Sequence, residues 1–307
     1  MSNQHKTTFR TIFDDVKGSF NGATNNVLSY FLAHLGMVVI ALVLIAAVAV
    51  PIVTVLLLAG PVALESWAIS FTNFGLSNPW LLIGGIYLAI LPFMAVLFVV
   101  IGSIYGISKE VVETGKTTAE SAFTWLRHHF LTFASAGVIL SLIVLVPQGL
   151  VLATVAYLVG PVSTPLWISY ASTVFVFVYS YITLGLTSMV FPAIVNGKGV
   201  QEAFFESYKL ATQRFDRVFG IHTAIVLIGL LTLAPFLAFA AWALVTPSIL
   251  TIAAAGVVLA GYAIVIAFFW LLFLLPTVYI AYVRVYMDLT GGVVAEVTPP
   301  TAEVPMV

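Results

Sequence analysis

From Val27 to Leu58 the chain carries no charged side chain, and only Ser29, Tyr30, His34 and Thr54 interrupt its apolar run. That length exceeds the ~20 residues a helix needs to cross a bilayer. Inside a bilayer every backbone N–H and C=O must find a partner within the protein, so the run is read as a membrane-spanning helix. Five more runs have the same character: Trp80 to Ile107, Phe130 to Leu158, Leu166 to Val195, Val218 to Val245 and Ile249 to Tyr286. Residues that are 62% hydrophobic and 7% charged overall leave too few polar groups for a soluble domain. The expected fold class is an all-α membrane protein with six transmembrane helices.

Charge placement predicts the topology. All eleven Lys and Arg lie in the N-terminal segment, in the 108 to 127 and 198 to 217 connections, or near the end of the sixth span. By the positive-inside rule both termini and these two connections are cytoplasmic, in a multi-pass protein of the cell membrane. A net charge of −1 implies no bulk attraction to nucleic acid. The absence of cysteine removes disulfides, thiolate metal sites and thiol catalysis. Met1 to Asn26 is polar and charged, without a signal-peptide pattern, so targeting is expected to come from the first span.

A second pattern is laid over the spans. Setting Lys6, Lys116 and Lys198 in register aligns Thr7, Thr117 and Gly199 as N-cap candidates, with Thr117 and Glu120 forming a capping-box pair. Ile12, Ala122 and Phe204 then coincide, followed by Phe13, Phe123 and Phe205, and by Val16, Leu126 and Tyr208. These offsets draw one apolar stripe along a short amphipathic helix. The reading is three parallel repeats, 7–115, 116–197 and 198–292, each an interfacial helix followed by a two-span hairpin. Together they make one membrane domain over 1–292, with a proline-rich, disordered tail at 293–307. In this scheme NGATNN at 21–26 ends the first interfacial helix, the 60–79 connection lies at the membrane interface, and Pro276 or a projection of the last turns into water explains the long sixth run.

The segment EAFFESYKLATQRFDRVFGIHTAIVLIGLL, a small-aromatic pattern entering a long apolar helix, resembles membrane domains attached to some glycerophosphodiester phosphodiesterases and related bacterial and archaeal membrane proteins. A weaker echo runs through TAESAFTWLRHHFLTF. The resemblance implies a helical membrane module; the soluble phosphodiesterase domain has no counterpart in this sequence.

Candidate site residues are few. Lys17, Arg127, Lys209, Arg214 and Arg217 sit where headgroup phosphates would meet them, either as a specific anionic-lipid site or as ordinary topology anchors. His34 and His222 lie about one turn into spans one and five, either as a proton-sensitive pair or as interfacial histidines bonded to nearby backbone. Pro51, Pro147 and Pro235 mark either broken helices around a substrate or simple kinks. The hydroxyls of span four, including Tyr179, Ser180 and Thr183, either line a wet path or bond between packed helices. No charged residue lies in the interior of a span, and no nucleotide-binding, zinc or nucleophile motif appears, so no catalytic, cofactor or metal residue is assigned. Two functions remain: a non-enzymatic structural or accessory module at the cytoplasmic leaflet, or an uncoupled facilitator of a lipid or other amphiphile. The expected partners are membrane lipids, with a larger complex or a homo-oligomer as further possibilities. Reporter tags at Thr7 and Val307 are expected to stay inaccessible from outside intact cells; labelling of either tag there contradicts the topology.

Overall fold

The computed structural model describes residues 9–159, 165–245 and 249–295. Among them there is no strand, and six helices are long and apolar enough to cross a membrane. The N-cap candidate Thr7, the 160–164 and 246–248 turns and the tail beyond 295 lie outside the described residues. Two compact units form, one from 1–34, 104–122 and 209–307, the other from 35–103 and 123–208.

The first unit is built on α10 (Leu275–Thr290), where Ile280, Ala281, Tyr282, Val283, Val285, Tyr286 and Met287 are all buried. The last turns of the sixth run are therefore packed against other parts of the unit. The length of the run is taken up by α9 (Ile249–Phe269), a π-helical stretch (Trp270–Leu274) and α10. Pro276 has no N–H to give Leu272, and the backbone widens just before it, with Leu275 N–H bonding Trp270 O. Along α10 lies α1 (Phe9–Asn25), whose buried face is Asp15, Ser19, Gly22 and Ala23. NGATNN does not break α1 where expected, because Gly22 and Ala23 pack inward, Gly22 against Val111 and Ile280. The helix stops at Asn26, whose Nδ2 donates to Gly22 O (2.9 Å) and Gly115 O (3.1 Å) and whose Oδ1 accepts from Thr117 N–H (3.1 Å).

Those bonds revise the capping box. Thr117 gives its hydroxyl to Glu110 Oε2 (2.7 Å), so α4 (Ala119–Val159) starts after Thr118 instead. In the same unit, α8 (Phe215–Val245) presents bare Gly220 to Ile12 of α1. Thr232 of α8 is held by Tyr262, which donates to its carbonyl (2.8 Å), and by Trp270 Nε1, which donates to its hydroxyl (3.1 Å).

The second unit contains most of α2 (Val27–Ser77) and α3 (Pro79–Thr114), α4 from Phe123, α5 (Leu166–Thr187), α6 (Val190–Val195) and the start of α7 (Val200–Gln213). The expected interfacial connection after residue 60 is helical to Ser77, following one break at Gly60 (φ 81°). Helices α3 and α4 run antiparallel, with Tyr87 over Gly149, Phe98 over Gly137 and Phe133 over Gly102. Each pair sums to 235 or 236, the signature of an antiparallel register in which a ring on one helix fills the space a glycine leaves on the other. The interfacial segment 118–129 and the third span are one helix, kinked at His129 (φ −119°, ψ 16°) where its ring stacks on Trp125.

Pro51, Pro147 and Pro235 sit inside helices that continue through them. The break falls instead at Ser188–Met189 in the fourth span. Pro192 cannot donate to Ser188 O, and the helix reopens there. Ser207 of α7, fully buried, repairs the break: Met189 N–H donates to its Oγ (3.1 Å), and its hydroxyl donates to Leu186 O (2.7 Å). Glycines at 115, 197 and 291 (φ 78°, 91° and 78°) follow the ends of α3, α6 and α10, where a left-handed residue ends a helix without a Cβ clash.

Replacing Ser207 by Ala orphans a buried N–H and a buried carbonyl, and is expected to cost about 1–3 kcal/mol. Thermal unfolding in detergent checks this against Thr173→Ala, whose exposed hydroxyl bonds Ser169 in its own helix and which is expected to stay within about 0.5 kcal/mol of the parent.

Candidate functional site

The polar chemistry of the first unit lies where α1, the start of α8 and the end of α10 meet. Asp15, Ser19, Gly22 and Ala23 follow helical spacing, so α1 turns a carboxylate and three small residues toward its neighbours. Asp15 Oδ2 lies 2.7 Å from Arg217 Nη2 and its Oδ1 3.8 Å from Arg284 Nε. Arg217 Nη2 also donates to Asp288 Oδ2 at 3.2 Å. Two guanidiniums and two carboxylates thus balance, Asp15 and Arg217 buried, Asp288 open with its side chain 59% exposed. Burial pushes the Asp15 carboxyl up from its ordinary value, against the pull of Arg217 and Arg284.

The same unit also holds tyrosines and histidines from α2, α3, α8 and α10. Tyr30 and Ser108 bond through their hydroxyls (2.8 Å), and Tyr105 meets Tyr279 edge to face at 4.9 Å. His34 Nδ1 bonds Tyr30 O at 2.7 Å. A carbonyl only accepts, so that nitrogen carries the proton, and in the neutral ring Nε2 keeps its lone pair. His222 Nδ1 bonds Tyr282 OH at 2.8 Å, while the His34 ring lies 6.3 Å from Tyr279. The two histidines therefore come from different helices and each meets a tyrosine of α10, one bonded to backbone as expected and the other to a hydroxyl.

The five predicted headgroup residues divide. Lys17, Arg127, Lys209 and Arg214 are exposed. Arg217 is only 6% exposed and is paired with Asp15 and Asp288, so it does not stand on the surface with the other four. Lys198 bonds Glu202 at 2.6 Å and lies 3.5 Å from Glu206; Glu202 first and Glu206 second push its ammonium above the ordinary value. His128 is exposed and bonds Thr124 O. Two span-four hydroxyls bond between helices, Gln148 Nε2 donating to Ser180 Oγ (2.7 Å) and Tyr179 donating to Ile143 O (2.7 Å), while Ser172, Thr173 and Thr187 bond carbonyls of their own helix. Among the described residues no group of three His, Cys, Asp or Glu side chains is placed to hold a metal ion.

Sequence spacing does not single out Asp15 as a site residue, nor join it to Arg284 and Asp288 at the end of the sixth run. The signal for Asp15 is the small, polar face of α1, which a search for apolar stripes discards. No family model, no curated protein and no solved structure matches the chain.

Removing Asp15 leaves buried Arg217 with the exposed Asp288 alone, and Asp15→Ala is expected to destabilise by about 3 kcal/mol. Asp15→Ala combined with Arg217→Leu should cost less than the sum of the two single changes, read from thermal unfolding. The raised Asp15 carboxyl also fixes a sign. The folded chain holds that proton more tightly than the unfolded one, so the Asp15 contribution is complete below the unfolded value and is lost as pH rises through the folded one. Asp15→Asn should flatten this part of the stability profile.

Proposed function

We propose that the chain is a non-enzymatic membrane module that organises the membrane or serves as an accessory subunit at the cytoplasmic leaflet. The observation that supports this reading most is the use made of the polar groups in the second unit. Ser180, Tyr179 and Ser207 are engaged in bonds between helices or across a helix break, which is packing chemistry. In this reading both termini face the cytoplasm and Lys17, Arg127, Lys209 and Arg214 meet lipid headgroups. The chain is three parallel repeats, each closed by one of the left-handed glycines, and its kinship is with the phosphodiesterase-associated membrane domains.

A facilitator of amphiphiles is the second reading, and one feature favours it. Between α3 and α4 lies an apolar groove of about 490 Å³ lined by residues including Trp80, Gly84, Tyr87, Leu91, Leu142 and Leu150. Reconstitution into vesicles carrying a fluorescent phospholipid separates the two. The module reading expects translocation between leaflets no faster than in protein-free vesicles, and a stoichiometric protein partner or homo-oligomer after mild solubilisation. Fast translocation that Gly84→Leu slows establishes the facilitator.

A further inference from the structure

The charge cluster of the first unit has more donors than its carboxylates use. Among the described residues Arg284 donates no hydrogen bond: its nearest carboxylate oxygen is 3.8 Å from Nε. Arg217 Nη1 is buried without an acceptor, and the bond to Asp288 is the one with good donor geometry that either arginine makes. A guanidinium carries five N–H groups in a planar fork suited to oxyanions. Two of them stand here against two carboxylates, one of which burial holds back from ionising.

The Arg284 guanidinium has a seat of its own. It lies on Gly18 of α1, where a Cβ would come within 2.5 Å of Nη1. Glycine inside a helix costs about 0.5–1 kcal/mol relative to alanine, and here its bare backbone makes the room. The seat is partly open, with the Arg284 side chain 26% exposed and the Asp288 side chain beside it free to turn into water. It lies where α8 begins and α10 ends, against the middle of α1.

We propose that Arg284, seated on Gly18 with Arg217 behind it, is a binding site for a phosphoryl group. Its oxygens accept from Arg284 and, as Asp288 swings aside, from Arg217 Nη1. The bearer is either an anionic phospholipid headgroup or a soluble phosphate. The headgroup source rests on the module reading above; the site itself does not.

The full chain in mild detergent is titrated with short-chain phosphatidic acid and, separately, with inorganic phosphate, and bound species are counted by native mass spectrometry. One saturable phosphatidic acid is expected. Arg284→Gln should weaken it about tenfold, the loss of one charge-assisted contact. Gly18→Ala should weaken it comparably without lowering the melting temperature, since alanine favours the helix but displaces the guanidinium. Asp288→Asn, which removes a competing carboxylate, should tighten it. Competition by inorganic phosphate at similar concentration assigns the site to a soluble phosphate, and failure to compete assigns it to a lipid. Absence of saturable binding by both ligands overturns the proposal, as does parental affinity in both Arg284→Gln and Gly18→Ala. Lipid translocation and partner stoichiometry, which test the module reading, are independent of either outcome.

Discussion

A backbone amide or carbonyl released from a helix within an apolar layer can be satisfied only by another part of the chain. That constraint explains why the irregular places in this protein are also its best-bonded ones. Ser207 closes the break that Pro192 opens, Asn26 bonds three backbone groups where α1 passes into α2, and a π-helical turn absorbs Pro276. The first two solutions draw on a hydroxyl or amide side chain from a segment that composition alone would call a connection. The amphipathic segments are thus structural parts of the units they flank.

The same economy governs charge. Burying a carboxylate or a guanidinium is costly unless a partner of opposite sign is at hand, and even then the balance is close. Asp15, Arg217 and Arg284 meet at one end of the first unit, each from a different helix. A cluster so arranged fixes where α1 sits, because moving α1 strands Arg217 with an exposed partner. Affinity for α1 and surplus capacity for an outside anion come from the same two arginines.

The spans were legible because nothing but a membrane helix accommodates such runs. The α7 to α8 boundary near Arg214 was legible too, since amphipathic spacing gives way there to continuous apolarity. The pattern quoted for the resemblance contains Ala203, Ser207, Arg217 and Gly220, and these prove to be packing positions: three are buried and the fourth receives Ile12. What each of them touches was not legible, because Ser207 answers a proline fifteen positions earlier and Arg217 an aspartate two hundred residues away. The break at Ser188–Met189 was not legible for a related reason, since Pro51, Pro92, Pro147 and Pro235 sit inside helices that continue through them. The packing face of α1 was not legible in its aromatic stripe, since Phe13 is 59% exposed and Asp15, Ser19 and Gly22 do the packing.

The docking of α1 has a consequence for biogenesis. Apart from Val111 of α3 beside Gly22, its partners are α8, the π-helical stretch and α10, made from the last third of the chain. During synthesis α1 therefore waits for most of its packing surface until nearly all the other helices have been made. Domains whose ends must find each other pay loop-closure entropy late and fold slowly. Until then α1 carries Phe9, Phe13 and Phe20 on one side and an uncompensated Asp15 on the other, a form that the lipid surface can hold but the finished unit has not yet claimed. Completion of α10 is thus the event that retires this waiting state, and a chain stopped before it leaves Asp15 without Arg284 and α1 without its main packing partner.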